Sequence, residues 1–172
     1  THVLKKLAQE QINTVVDVGA NRGQFAIASR HHFPKAKIIS FEPLAEAADV
    51  FQKIFRNDLN VILHHCAIGN KNEETEIHIS NADDSSSLLP IADLQDEIFP
   101  GTAEKGTRSI TVRKLDDLIT REDLQHPALL KLDVQGFEIE VFEGCGDLLP
   151  EFNYIYVECS FVELYQGQSL AY

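Results

Sequence analysis

Val15-Val16-Asp17-Val18-Gly19-Ala20-Asn21-Arg22-Gly23 joins a short apolar run to an acid and to two glycines four positions apart. A β-branched run of this length is typical of a buried parallel strand, and open α/β sheets bind ligands at the turn that leaves such a strand. Glycine lets this turn be tight and lets a ligand approach the backbone closely. The stretch therefore predicts an α/β fold with a ligand site at residues 17–23.

The spacing of the glycines and the nearby acid narrow the kind of ligand. The G-x-G-x-x-G fingerprint of dinucleotide-binding folds is absent, and D-x-G-x-x-x-G stands in its place. Asp17 also puts a negative charge where a dinucleotide fold holds a pyrophosphate, so a cationic ligand is favoured. The alternative is an ordinary strand-to-helix turn in which Gly19 and Gly23 have structural roles only.

Length and charge limit the class of protein. With 172 residues, 44% of them hydrophobic, the chain is long and apolar enough for one globular domain. A formal net charge of −12 and the lack of a Lys/Arg cluster argue against nucleic-acid binding. No apolar run is long enough to span a membrane, so we expect no membrane association.

The three cysteines, Cys66, Cys145 and Cys159, are odd in number and lack the spacing of a zinc site. This pattern favours reduced thiols in a cytoplasmic protein. Because free cysteines are among the most buried residue types, we expect these three to be small core residues and not nucleophiles.

A second acid follows the second predicted strand. Residues 37–41 lead into Glu42-Pro43, which places Glu42 25 positions after Asp17. In nucleoside-binding α/β folds, a carboxylate at this strand end accepts hydrogen bonds from the ribose hydroxyls. The alternative is an acid that caps the predicted helix at residues 44–56.

The third predicted strand, residues 61–65, ends in His64-His65 and is followed by Cys66-Ala67-Ile68. These small and apolar residues predict a flat slot for a base such as adenine. Neighbouring strand residues face opposite sides, so one of the two histidines is expected to point inward, although strand histidines are more often structural or solvated.

Residues 74–80 and 109–113 alternate apolar and polar side chains, as edge strands do. We expect them to extend the sheet as an antiparallel addition. The polar stretch between them, residues 81–108, is too long for a simple connection, and we predict that it forms a lid. Its serine run includes Ser86 and Ser87, which are candidates for contact with a substrate, unless the run is only a flexible linker.

Residues 128–138 repeat the design of the opening stretch: an apolar strand, an acid (Asp133), a glycine and a helix. We expect Asp133 to face Asp17 across the ligand edge of the sheet, unless it is only a loop or capping acid. Lys131 is two residues earlier and points to the same side of a regular strand, so a pair with Asp133 is an open alternative. A fifth apolar strand, starting at residue 154, ends near Glu158.

Taken together, five motifs resemble the FkbM family of S-adenosylmethionine-dependent methyltransferases. They are Asp17-Val18-Gly19-Ala20-Asn21-Arg22-Gly23, Phe41-Glu42-Pro43, Ser86-Ser87-Leu88, residues 112–118, and Leu130-Lys131-Leu132-Asp133-Val134-Gln135-Gly136-Phe137-Glu138. The last is a glutamine-bearing variant of the family's L-K-x-D-V-E-G-x-E. The resemblance implies a Rossmann-like class I methyltransferase sheet with helices on both faces. Such a sheet normally has seven strands, so residues 1–172 are expected to form a single domain that lacks its C-terminal strands.

The resemblance also implies a cofactor, S-adenosylmethionine, and the residues that bind it. The methionine portion is expected to contact Asp17, Gly19, Asn21 and Gly23, the ribose Glu42 with its neighbour Pro43, and the adenine Cys66, Ala67 and Ile68. Asp133 is expected to close the cofactor site.

Members of the family mostly resemble O-methyltransferases, so the expected acceptor is a hydroxyl of a small metabolite, a sugar or a glycan. A hydroxyl loses its proton as it attacks, and the candidate bases at the strand ends are Asp133, Glu158 and the His64/His65 pair. Asp133 and His65 are preferred as the base, and Glu158 is also a candidate for contact with the substrate. Asp133 and Glu158 carry oxygen ligands for a metal, but no third ligand is evident, so we expect none.

Two other functions remain open from the sequence. One is a catalytically silent nucleotide-binding or interaction module with the same fold. The other is an NAD-dependent oxidoreductase, because Glu42 suits the ribose of NAD equally well; the missing third glycine and the charge of Asp17 disfavour it.

Overall fold

The computed structural model describes residues 2–82 and 85–172. The strands in these residues are β1 (Thr14–Val18), β2 (Lys37–Phe41), β3 (Val61–His64), β4 (Ala67–Ile68), β5 (Glu73–Ser80), β6 (Glu104–Arg113), β7 (Ala128–Leu132) and β8 (Tyr154–Val157). The α-helices are α1 (His2–Leu7), α2 (Gln24–His32), α3 (Ala45–Phe55), α4 (Asp93–Ile98) and α5 (Glu138–Gly144). Short 3-10 helices occupy Ala8–Glu10, Leu115–Asp117, Arg121–Asp123 and Gly146–Glu151.

Five strands form a parallel sheet in the order β3-β2-β1-β7-β8. β1 and β7 lie at its centre, and each of their residues is buried. Their apolar runs fit this position because a parallel strand covered on both faces needs apolar side chains on both. The Rossmann-like α/β fold predicted from the sequence is confirmed.

The two faces of the sheet pack against different elements. On one face, Val16, Ile39 and Leu130 contact the core that includes Val141 of α5. On the other face, Val15, Ile38 and Leu129 belong to a core with buried side chains from α1, α2 and α3, namely Leu4, Phe25, Ala26 and Phe51. The sheet is therefore held rigidly, and the turns at the carboxyl ends of its strands are fixed in position.

The antiparallel addition is confirmed as a pair, β5 with β6, but its place differs from the expectation. In the described residues, this pair joins β4 in a separate three-stranded sheet and does not extend the parallel sheet. Ala67, Ile77 and Val112 form its own small core, against which Leu44 and Leu88 pack. The second sheet thus stands beside the carboxyl ends of the parallel strands.

The polar stretch at residues 81–108 contains a helix, α4, that the sequence pattern did not predict. Six residues make fewer than two turns, which is too short for a period of 3.6 residues to be visible. Asp83 and Asp84, which belong to the predicted lid, lie outside the described residues. Among the residues that are described, no helix has the length and apolar character needed to cross a membrane.

Candidate functional site

A cavity of about 360 Å³ opens at the carboxyl ends of β1, β2 and β7. The chain turns to opposite sides of the sheet between β1 and β7, and ligands bind at such switch points in open α/β sheets. The cavity is lined by Val18, Gly19, Ala20, Asn21, Gln24, Phe25, Phe41, Glu42, Pro43, Leu44, Ala67, Ile68, Ile77, Ser86, Ser87, Leu88, Lys131, Asp133, Val134, Gln135 and Tyr156. Most of the predicted site residues are therefore brought together.

Both glycines of the turn after β1 have a positive φ, as a tight turn requires, but the two differ in what they contact. Gly19 has a φ of +76°, and a Cβ at this position would overlap the carbonyl oxygen of Asp133. Gly23, with a φ of +91°, lies against the rings of Phe51 and Phe55 and does not line the cavity. Gly19 shapes the site directly, whereas Gly23 allows helix α2 to pack.

Glu42 is the best-defined polar group of the cavity wall. It is 5% exposed, and its Oε2 and Oε1 accept hydrogen bonds of 2.8 Å from the backbone N–H groups of Asn21 and Leu44. Burial raises the pKa of Glu42, and these two backbone bonds oppose that effect. Leu44 directly precedes α3, and this helix has no side-chain cap hydrogen bond, so Glu42 holds the segment before the helix and does not cap the helix itself. Glu42 also faces the cavity, and its contact with a ribose stays a prediction.

Asp17 lies beneath the cavity and does not line it. Its side chain is fully buried, and Lys131 Nζ lies 3.0 Å from its Oδ1. The two residues are direct neighbours in the register of β1 and β7, so their side chains share one face of the sheet. Burial raises the pKa of Asp17 and Lys131 opposes this, whereas the charges of Asp17 and Asp133 raise the pKa of Lys131 against its burial.

Lys131 also fixes the glycine turn. Its ammonium donates hydrogen bonds to the carbonyl oxygens of Gly19, at 2.7 Å, and Val18, at 3.3 Å. The Oδ2 of Asp133 is more distant, at 3.7 Å, so Asp17 and not Asp133 is the closer partner of Lys131. The pair Asp17–Lys131 therefore supports the floor of the site.

The predicted adenine slot is only partly lined as expected. Ala67 and Ile68 line the cavity, but Cys66 points into the core below it. Burial raises the pKa of the Cys66 thiol to about 11, and that of Cys145 to about 12, so neither is a nucleophile near neutral pH. Cys159 is exposed and not a core residue, in contrast to the expectation.

Asp133 reaches the cavity and is linked to Glu158. Gln135 Nε2 lies 2.8 Å from Asp133 Oδ1 and 3.1 Å from Glu158 Oε2, so it donates to both carboxyl groups. Glu158 follows β8, next to β7 in the sheet, and does not itself line the cavity. The two acids that the sequence placed at strand ends are thus close together.

The two histidines lie outside the cavity. His65 is exposed, and the structure does not bring it to the site. His64 stacks on Phe41 with ring centroids 4.9 Å apart, and burial lowers its pKa. His64 is the histidine that points inward, where it packs on Phe41. Neither histidine lines the cavity.

The predicted serine run crosses the cavity as a strap, which we define as residues 85–89. Ser86, Ser87 and Leu88 line the cavity. Ser87 pairs with His78 of β5 through two backbone hydrogen bonds, and its Oγ donates to the carbonyl oxygen of Gln135 at 2.6 Å. The strap is therefore anchored on both sides and is not a loose linker.

The sequence profile of the methyltransferase FkbM domain matches residues 17–172. The chain belongs to the FkbM methyltransferase family. The match begins in β1 and includes all the turns that line the cavity, which confirms the family expected from the five motifs.

Three curated relatives of this FkbM chain carry methyltransferase names. 2-O-methyltransferase NoeI of Sinorhizobium fredii is 30% identical over 163 residues, which cover 90% of this chain and 66% of the relative. Hexuronic acid methyltransferase AglP of Haloferax volcanii is 28% identical over 156 residues, or 87% and 56% of the two chains. Methyltransferase 1 of Beauveria bassiana is 26% identical over 145 residues, or 77% and 58%. The chain spans roughly three fifths of the length of these relatives.

Several residues of the FkbM site were missed as candidates. Asp17 is a candidate from the sequence, and Lys131 is a possible partner of Asp133, but the pairing of Asp17 with Lys131 is not predicted because it depends on the register of β1 with β7. Gln135 marks a departure from the family motif, but its contact with Tyr165 is not predicted, because it joins residues 30 positions apart. Phe25 and Tyr156 line the cavity and stack with centroids 5.8 Å apart, a contact that only the packing of α2 on β8 creates.

Glu158 is expected to make stability depend on pH. Burial, together with the adjacent Asp133, raises its pKa from 4.5 to about 7. The folded protein therefore holds the carboxyl proton of Glu158 more tightly than the unfolded chain does. The contribution of this group to the free energy of unfolding is fully present below pH 4.5 and is lost as the pH rises through 7. We expect the free energy of unfolding, measured by urea denaturation at a series of pH values, to fall less with rising pH in Glu158→Gln than in the unmodified chain. Glu163→Gln, at an exposed position, is the control and should behave like the unmodified chain. If the free energy of unfolding falls equally with pH in all three proteins, the pKa of Glu158 is not raised by folding.

Proposed function

We propose that this chain binds S-adenosylmethionine in the cavity and methylates a hydroxyl group of a small metabolite or a sugar. The observation that supports this most directly is the position of Glu42, whose carboxylate lines the cavity at the end of β2, within a hydrogen bond of the glycine turn at Asn21. A carboxylate in this place can accept hydrogen bonds from both ribose hydroxyls. Membership of the FkbM family and the names of the relatives support methyl transfer.

The groups that line the cavity fit this cofactor. Its volume lies within the range of about 300–1,000 Å³ that is usual for small-molecule sites. Ala67 and Ile68 offer an apolar wall to the adenine, and Asp133 offers a negative charge to the sulfonium. Of the described lining residues only Lys131 is cationic, and it is already paired with Asp17, which disfavours a pyrophosphate and hence NAD.

When bound, S-adenosylmethionine supplies an electrophilic methyl group on its sulfonium sulfur. The chain must hold the acceptor hydroxyl in line with that sulfur and remove the hydroxyl proton while the carbon–oxygen bond forms and the carbon–sulfur bond breaks. We assign Asp133 as the group that accepts the hydroxyl proton, because its carboxylate lines the cavity and its side chain is 43% exposed. Ile77 and Leu88, from β5 and the strap, shield the reacting groups from water.

The charge near Asp133 indicates the kind of acceptor. Asp133 lines the cavity, and Glu158, which does not line it, is bound to the same Gln135 amide, so a second acid lies close to Asp133. An acceptor with its own carboxylate would be repelled here, and we therefore propose an uncharged or cationic hydroxyl compound. Ser86 and Ser87 are the proposed contacts of this acceptor.

Calorimetric titration with S-adenosylhomocysteine, and with NAD as the comparison ligand, tests the cofactor. We expect saturable binding of S-adenosylhomocysteine at one site per chain and no binding of NAD. A cooperative urea transition of the same preparation shows that the protein used is folded. Binding of neither ligand by folded protein would favour a silent module, and binding of NAD alone would favour an oxidoreductase; either result would overturn the proposal.

A further inference from the structure

Gln135 has a side chain whose every hydrogen-bonding group is used. Its Nε2 donates to Asp133 Oδ1 at 2.8 Å and to Glu158 Oε2 at 3.1 Å, and its Oε1 accepts from the Tyr165 hydroxyl at 2.6 Å. A primary amide has two donor hydrogens and one acceptor oxygen. The orientation of the amide is therefore fixed, since the reversed amide would turn its oxygen towards two carboxyl groups.

The backbone of Gln135 is also held in place. Its φ of +58° lies in the left-handed region, which non-glycine residues seldom occupy, and its carbonyl oxygen accepts the Ser87 hydroxyl at 2.6 Å. Backbone conformations of this kind persist where the surrounding contacts over-determine them, and they cluster at functional sites. Gln135 thus connects the end of β7, the end of β8, the strap and the segment around Tyr165.

The two acids need such a partner. The chain leaves the neighbouring strands β7 and β8 with Asp133 and Glu158, and the Glu158 N–H bonds to the carbonyl oxygen of Leu132 at 3.1 Å, so the acids cannot separate along the strands. Both carboxyl groups lie within hydrogen-bond distance of the same Gln135 Nε2, and two carboxylates so close together repel each other unless a donor or a proton lies between them.

We propose that Gln135 is a positioning residue for methyl transfer, whose amide holds Asp133 towards the acceptor hydroxyl and keeps the adjacent Glu158 from turning it away. The inference rests on the proposed function, in which Asp133 takes the hydroxyl proton. Gln135 itself neither gains nor loses a proton in this step. Because its carbonyl oxygen accepts the Ser87 hydroxyl, its backbone is also fixed relative to the strap.

The groups that face Glu158 are known from each neighbouring element. Asp133 follows β7 and Glu138 begins α5, and both negative charges raise the pKa of Glu158. The nearest cation in these elements is Lys131, whose Nζ lies 3.7 Å from Asp133 Oδ2. Burial and Asp133 raise the pKa of Glu158 to about 7, and the hydrogen bond from Gln135 opposes this. Removal of the amide should therefore raise the pKa further, because a donor stabilises the ionised carboxylate.

The test replaces the amide without changing its size, as Gln135→Met. In a ¹³C NMR titration of the side-chain carboxyl groups, we expect the midpoint of Glu158 to rise by about 1 pH unit. Gln135→Gly, which suits the left-handed backbone, keeps the test valid if the methionine variant fails to fold. Gln166→Met, at an exposed glutamine near Tyr165, is the matched control and should leave the midpoint unchanged.

A second readout connects the amide to the cofactor. S-adenosylmethionine carries a sulfonium charge that S-adenosylhomocysteine lacks. The affinity for S-adenosylmethionine, divided by the affinity for S-adenosylhomocysteine, should therefore rise with pH as carboxyl groups near the cofactor site ionise. We expect the midpoint of that rise to move to higher pH by about 1 unit in Gln135→Met and not in Gln166→Met. If the protein binds both ligands but the midpoint in Gln135→Met equals that of the unmodified chain, in the NMR titration or in the affinity ratio, the proposed role of Gln135 is wrong. If the unmodified chain binds neither ligand, the proposed function is wrong. The NMR titration needs no ligand, so it would still decide whether the Gln135 amide acts on Glu158.

Discussion

Replacement of Lys131 by methionine is expected to lower the free energy of unfolding by about 3–5 kcal/mol, because it leaves Asp17 buried without its charged partner. Asp17 is 0% exposed and Lys131 is 4% exposed, with 3.0 Å between Nζ and Oδ1. Urea unfolding at pH 7, followed by circular dichroism, measures the loss. The loss should shrink at lower pH, since burial raises the pKa of Asp17 and a protonated carboxyl needs no cation.

The double variant Asp17→Asn with Lys131→Met separates the buried pair from simple packing. We expect it to recover part of the loss, because no unpaired charge then remains. The exposed pair of Arg108 with Glu46 provides the matched control, and Arg108→Ala should cost no more than about 1 kcal/mol. A loss for Lys131→Met as small as that of the control would show that the buried pair does not support the site.

The parallel sheet was predictable because its signal is local. The apolar run at residues 14–18 and its repeat at 128–132 each identify a buried strand from consecutive residues, and the acids after the strands mark the ligand edge. Glu42 and Asp133 could be placed there because strand ends in a parallel sheet lie at one edge. The role of Asp17 could not be derived in the same way, since it depends on its register with Lys131, a residue more than a hundred positions away.

The parts that the sequence did not predict depend on contacts between distant segments. Tyr165 is 2% exposed because residues near the end of the described chain fold back over Gly136 and the strap, and no local pattern announces this. The separate second sheet arises because β6 pairs with both β4 and β5, which alternation alone cannot distinguish from an extension of the main sheet. The position of His65 outside the cavity could not be predicted, because alternation gives two opposite faces but does not say which of them meets the cavity.

Glu42→Ala is expected to weaken binding of S-adenosylhomocysteine by about 10- to 150-fold, which corresponds to the roughly 1.5–3 kcal/mol of a hydrogen bond to a charged group. The carboxylate lines the cavity, and we propose that it accepts the ribose hydroxyls. The variant should also lose stability, since the N–H groups of Asn21 and Leu44 lose their acceptor. Calorimetric titration of folded protein, at a temperature well below its unfolding transition, measures the affinity alone.

Glu138 is the control that separates these two effects. Its Oε1 accepts hydrogen bonds of 3.2 Å from the backbone N–H groups of Val134 and Gly136, much as Glu42 serves Asn21 and Leu44, but Glu138 does not line the cavity. Glu138→Ala should therefore lower stability while leaving the affinity for S-adenosylhomocysteine within about twofold of the unmodified chain. Equal loss of affinity in the two variants would mean that Glu42 acts by holding the turn in shape, and the ribose contact would then have to be assigned to another group of the cavity wall.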